Sequence, residues 1–171
     1  QVGLHKEKIK EHFGQDPVVF RNTELIYSDD ISEMVEEMGF KAQLTEGAKQ
    51  ILGWKSPNYL YCSARRPKLK LLLKNYRLSD DIAFRFSNRD WPDWPLTSEK
   101  FVGWLNELPP EEEIVNLFMD YETFGEHQWA ETGIFDFMRH LPKAVFSNSN
   151  YKFITPSEAV ESLNPVGPIH V

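Results

Sequence analysis

Residues 17 to 46 constrain the fold more than any other stretch. Two strand-like runs, VVFRNTE and FKAQLTE, flank SDDISEMVEEMGF. In that middle segment Ile31, Met34, Val35 and Met38 recur at i, i+3, i+4 and i+7, the spacing of one helical face. Ser28 is placed to cap this helix, Asp29 and Asp30 suit the positive end of its dipole, and Gly39 suits its end. A strand–helix–strand unit of this length joins two parallel neighbours, because a short hairpin cannot.

The same alternation runs along the chain. Val2, Ile9 and Phe13 can share one face of a first helix ended at Gly14. NYLYCS, KLKLLLK, IAFRFS and IVNLFMDY read as further strands, and GAKQILGW as a short helix or turn. SEKFVGWLNEL and about 127 to 141 read as helices, the second ended by Pro142, and SEAVESL opens a last helix after Pro156. Trp54 and Trp104 read as core residues. The expectation is an α/β protein with a parallel sheet or barrel, its 171 residues forming a single domain.

Net charge is −7 and the nineteen Lys and Arg are scattered, which argues against a nucleic-acid partner. No run approaches the roughly twenty apolar residues that span a bilayer, so a membrane partner is not expected either. Cys62 is the only cysteine and forms no internal disulfide; with no signal-like apolar run in view, a cytoplasmic location is the expectation.

In parallel α/β folds, functional groups gather at the C-terminal ends of the strands. Here those ends carry Glu24, Glu46, Asp120 and Glu122, with Glu126 and His127 just beyond. Convergent carboxylates allow three chemistries: a pair for glycoside hydrolysis, a metal site from Asp120, Glu122 and His127, or structural pairing with Arg21 or Arg85. Residue spacing leaves the three open.

FRNTELIYSDDI, GFKAQLTEG, LSDDIAFRFSN and MDYETFGEHQW together resemble the family 57 glycoside hydrolases, and their α-amylase group most closely. The resemblance runs with gaps from about Pro17 to about Pro156. It implies a partial (β/α)7-type barrel of parallel strands, retaining action on α-1,4-glucans, and no cofactor or metal. It points to Glu24, in RNTEL, as nucleophile and to Asp120, in DYETFG, as acid/base. The family's histidine-rich first-strand motif and its last motif have no counterpart here, so the expectation is the middle of a catalytic barrel, incomplete at both ends. An isolated chain of that kind can be inactive.

Within this reading an α-glucan or maltooligosaccharide is the partner. Glu122 and Glu126 crowd Asp120 with like charge, and partial burial among Phe118, Tyr121 and Phe124 would act in the same direction, toward the protonated acid. Trp91 and Trp94, in RDWPDWPL, either stack on sugar faces or pin their loop to the fold. Trp129 flanks the acid/base with the same two alternatives, whereas His127 either bonds a sugar hydroxyl or contacts solvent at a helix start. Arg21, Arg85 and Glu46 are supporting groups. A 4-α-glucanotransferase or an amylopullulanase would carry the same motifs, and a non-catalytic glycan-binding homologue would have no reason to keep both carboxylates. A metal-dependent deacetylase would need paired histidines at i, i+4, and no HxxxH occurs.

Overall fold

The computed structural model describes residues 1–171. The chain forms two compact units, one of residues 1–74 with 155–171 and the other of residues 75–154.

All the strands belong to the first unit. Helix α1 (Val2–Phe13) precedes β1 (Val19–Arg21), α2 (Asp29–Glu37) and β2 (Ala42–Thr45). A short α3 (Lys49–Leu52) leads to β3 (Tyr61–Ser63) and β4 (Lys70–Leu73). Helix α7 (Pro156–Ser162) and β5 (Pro168–Ile169) return to this unit near the end of the chain. The sheet order is β1-β2-β4-β3-β5. Strands β1, β2 and β4 run parallel, with Val19 opposite Ala42 and Ala42 opposite Lys70, as the strand–helix–strand pattern predicts. The pair β3/β4 is antiparallel, because the six residues Ala64–Leu69 are too few for a crossover. The fold is therefore α/β with a mostly parallel sheet.

Helix α2 forms where its periodicity and cap place it. The Ser28 hydroxyl accepts the Ile31 N–H at 3.2 Å, and Val35 is buried. Val35 packs with Phe40, Leu52, Tyr61, Leu69, Leu71, Leu73 and Ile169 in one core. The Lys70 ammonium reaches from β4 to the carbonyls of Val160 and Leu163, a cation on the negative end of α7.

The second unit is helical. Helix α4 (Tyr76–Asp80) runs into a π-helical turn, Asp81–Arg85. Helices α5 (Ser98–Asn106) and α6 (Ile134–Asn148) pack against each other. Phe101, Val102, Leu105, Ile134, Phe137 and Leu141 join Leu78, Ile82 and Phe86 in its core.

Four expectations need correction. IAFRFS is not a strand but lies in the π turn, with Phe86 and Ser87 just beyond it: Leu78, Ile82 and Phe86, four residues apart, are all buried, and that helical face outweighs the local alternation. IVNLFMDY is not a strand either; it runs without strand partners and ends in a 3-10 turn, Tyr121–Thr123. Helix α6 starts at Ile134 and continues through Pro142 to Asn148. A proline inside a helix costs about 3 kcal/mol, but Ala144 and Val145 beyond it are buried and offset that loss. Trp54 is 93% exposed rather than in the core, whereas Trp104 packs on the second core as expected.

Candidate active site

Because β1, β2 and β4 are parallel, their C-terminal ends share one edge of the sheet. Three residues gather there: Glu24 just after β1, Glu46 just after β2 and Lys74 just after β4. The Lys74 ammonium lies 3.7 Å from a Glu46 carboxylate oxygen.

The backbone at Glu24 is unusual. Glu24 and Leu25 both sit in the left-handed region, with φ of 54° and 55°. For residues with a side chain this costs roughly 1–3 kcal/mol each, and it persists only where surrounding bonds over-determine it. Asn22, just after β1, and two residues of β2 supply those bonds. The Asn22 side chain accepts from the Thr23 N–H at 3.0 Å and donates to the Ile26 carbonyl at 3.3 Å. From β2, the buried Gln43 amide donates to the same Ile26 carbonyl at 3.3 Å, and Thr45 donates its hydroxyl to the Leu25 carbonyl at 3.3 Å. The Glu46 N–H also points at the Leu25 carbonyl, at 3.4 Å. The Leu25 side chain is buried beneath. The outcome is a strained turn whose one exposed acidic side chain is Glu24.

A cleft of about 350 Å³ opens beside it, lined by Glu24, Tyr27, Thr45 and Glu46 with Ile51, Leu73 and Ile169 as apolar wall. Gly47 follows Glu46 where a Cβ would stand 2.3 Å from the Lys74 carbonyl oxygen, so only glycine lets the chain leave β2 there. From the cleft wall, Tyr27 leads on to Asp29, which is 1% exposed. Asp29 faces the Tyr27 hydroxyl at 3.4 Å, Arg65 at 3.7 Å and the His170 imidazole. Burial, with the Asp29 charge beside it, pushes the Tyr27 hydroxyl above its ordinary value. In the sequence Asp29 stands out only as a helix-start charge. Its Arg65 and His170 partners stand 36 and 141 positions away, which no local pattern displays.

The second unit carries the other acidic group. The segment around Asp120 is pinned along one helical face. The Asn75 N–H donates to the Asn116 carbonyl at 2.8 Å, the Phe118 N–H to the Ser79 hydroxyl at 3.2 Å, and the buried Gln128 amide to the Ala83 carbonyl at 2.9 Å. Positions 75, 79 and 83 are one turn apart, so three anchors align. Beyond Asp120 the chain closes a compact loop: the His127 N–H meets the Glu122 carbonyl and the Gln128 N–H that of Thr123, both at 2.9 Å. Gly125, with φ of 108°, makes the tight reversal. The Trp129 indole N–H donates to the Glu126 carbonyl at 2.6 Å, leaving the ring 64% exposed.

Asp120, Glu122, Glu126 and His127 are all exposed in this loop. The expected burial around Asp120 is absent, since Tyr121 is 94% exposed and projects into solvent. Arg85 pairs with Asp81 four residues earlier, at 2.7 Å. Arg21 is exposed at the end of β1. Trp91 is half-buried, edge-on to Trp104 at 6.0 Å, and packs on the core, whereas Trp94 is exposed under Arg89 and lines a separate cleft of about 410 Å³ with Glu99, Asp136 and His140. No three His, Cys, Asp or Glu side chains converge as a metal-ligand set, and no helix is long and apolar enough to cross a membrane.

Comparison with known proteins bears on both units. The family model for glycosyl hydrolase family 57 matches residues 1–171. A protein of Methanocaldococcus jannaschii named "Putative alpha-amylase" is 51% identical over 170 residues, which cover 99% of this chain and 36% of that protein. The chain therefore spans about a third of that relative's length. The crystal structure of 4-alpha-glucanotransferase from Thermococcus litoralis is similar in fold, with a TM-score of 0.76 and 18% identity over 98% of this chain and 26% of that one.

Proposed function

The chain belongs to glycosyl hydrolase family 57, and from that premise we propose that it is part of a retaining glycosidase acting on α-1,4-glucans, with Glu24 as nucleophile and Asp120 as acid/base. The observation that carries this reading is the Glu24 turn: a strained, left-handed residue held by Asn22 and by β2 beside a cleft. The 51% identity to a protein named for amylase activity supports the substrate class. In the same reading, both units are parts of one catalytic domain built on a (β/α)7-type barrel.

The chemistry is a double displacement, which needs two carboxyl groups about 5–5.5 Å apart. The Glu24 carboxylate attacks the anomeric carbon as the glycosidic C–O bond breaks. Asp120 gives its proton to the departing oxygen. The glycosyl ester on Glu24 is then opened by water, whose proton returns to Asp120, and two inversions restore the configuration. Transfer to a sugar hydroxyl instead of water is the second reading, supported by the glucanotransferase likeness in fold. Chain-length analysis of products from a maltooligosaccharide separates them, because hydrolysis yields only shorter chains and transfer yields longer ones too.

In the full-length protein, Glu24→Gln and Asp120→Asn are each expected to lower kcat on soluble starch by about three orders of magnitude or more. Near-normal release of reducing ends by either variant would refute that residue's role. Retention on starch beads by a protein that releases no reducing ends would favour a glycan-binding homologue.

A further inference from the structure

The π turn at Asp81–Arg85 separates its apolar side chains into two faces. Its neighbours Ile82, Ala83 and Phe86 are buried, yet Phe84 is turned outward and 62% exposed. The Ala83 carbonyl takes the Gln128 amide at 2.9 Å and so fastens the Asp120–Trp129 loop to this turn. The result is that the Phe84 ring lies beside the His127 ring, centroids 6.5 Å apart and planes tilted by 30°. A π turn inside a helix is often found at a functional site. Single exposed apolar residues need no explanation, but an aromatic ring fastened to the loop of a candidate acid does.

We propose that Phe84, with the His127 ring beside it, is a stacking platform for one glucosyl ring of the substrate, on the turn that anchors the Asp120 loop. This rests on the glycosidase reading. The chemistry of the patch selects a neutral polyol. The Phe84 face matches the apolar C–H face of a sugar ring. The His127 imidazole beside it, and the exposed Glu122 and Glu126 carboxylates of the same loop, can take up sugar hydroxyl groups. The same carboxylates repel a phosphate backbone or any other polyanion.

The test uses the full-length enzyme with maltoheptaose. Phe84→Ala is expected to raise KM about tenfold, the effect of roughly 1.4 kcal/mol, with kcat changed by less than about twofold, as for an interaction made equally in ground and transition states. Phe84→Tyr restores the aromatic face and is expected to recover most of the lost affinity. Phe84→Leu keeps apolar bulk without a planar face and is expected to behave like the alanine variant. A normal KM for the alanine variant, with the parent enzyme active, overturns the platform and leaves the glycosidase reading intact. A parent enzyme that converts no maltooligosaccharide overturns both.

Discussion

The turn that carries Glu24 and the loop that carries Asp120 are held by opposite means. Around Glu24 the backbone itself is strained, and the side chains of Asn22 at the turn's start and of Gln43 and Thr45 on the adjacent β2 hold it. Around Asp120 no residue but glycine is left-handed; an irregular segment is laid along a helix and tied at one-turn intervals. The first arrangement draws its precision from a sheet, where parallel pairing fixes which side chains meet. The second draws it from helical periodicity, where i, i+4 spacing brings anchors into line. A carboxylate can thus be presented from a regular scaffold even when its own backbone is irregular.

The largest effect that bears on this contrast is expected at Gln128. It is buried, and its amide is the tie between the acid loop and the π turn. Gln128→Ala leaves the Ala83 carbonyl without that donor and should cost about 1–3 kcal/mol of stability in urea unfolding, along with a fall in kcat. A variant as stable and as active as the parent would show that the loop does not depend on this anchor.

A smaller effect is expected at Asn22. Its side chain bonds both ends of the Glu24 turn, but the turn keeps its bonds to Gln43, Thr45 and Glu46. Asn22→Ala should cost about 1 kcal/mol, as for a lost cap, with KM nearly unchanged. A loss well above that of Gln128→Ala would reverse the ranking, making the strained turn the less redundant of the two.

The smallest effect concerns pH. Burial raises the Asp81 carboxyl above its ordinary value of 3.8, and the nearby Arg85 only partly opposes it. A raised carboxylate pKa means that the folded state holds the proton more tightly than the unfolded chain. The stabilising contribution is therefore full below pH 3.8 and is lost as pH rises through the folded value. Unfolding free energies measured from acid to neutral pH should show the parent losing stability relative to Asp81→Asn as pH rises. A parent that instead gains on the variant would mean that the Arg85 pair dominates.

Much of the first unit was readable in one dimension. Helix α2, its Ser28 cap and the parallel pairing of β1 with β2 follow from patterns within thirty residues. So does the meeting of Glu24 and Glu46 on one edge, because parallel strands put their ends together. In the second unit two periods compete. IAFRFS alternates like a strand, and only with Leu78 in view does the four-residue spacing of a buried helical face emerge. IVNLFMDY is apolar enough for a strand, but its hydrogen-bonding partners include the Ser79 hydroxyl and the Asn75 N–H at a helix start, not a neighbouring strand.

By itself the sequence determined the strand–helix–strand unit of residues 17 to 46, the likeness to a glycosidase family and the identity of the acidic residues at issue, since these depend on local spacing and local wording. Only the tertiary structure decided the left-handed backbone at Glu24, the placing of Phe84 beside His127 and the burial of Asp29 with Arg65 and His170. Each of these is set by groups distant along the chain, and a contact between distant groups leaves no periodic trace in the residues that make it.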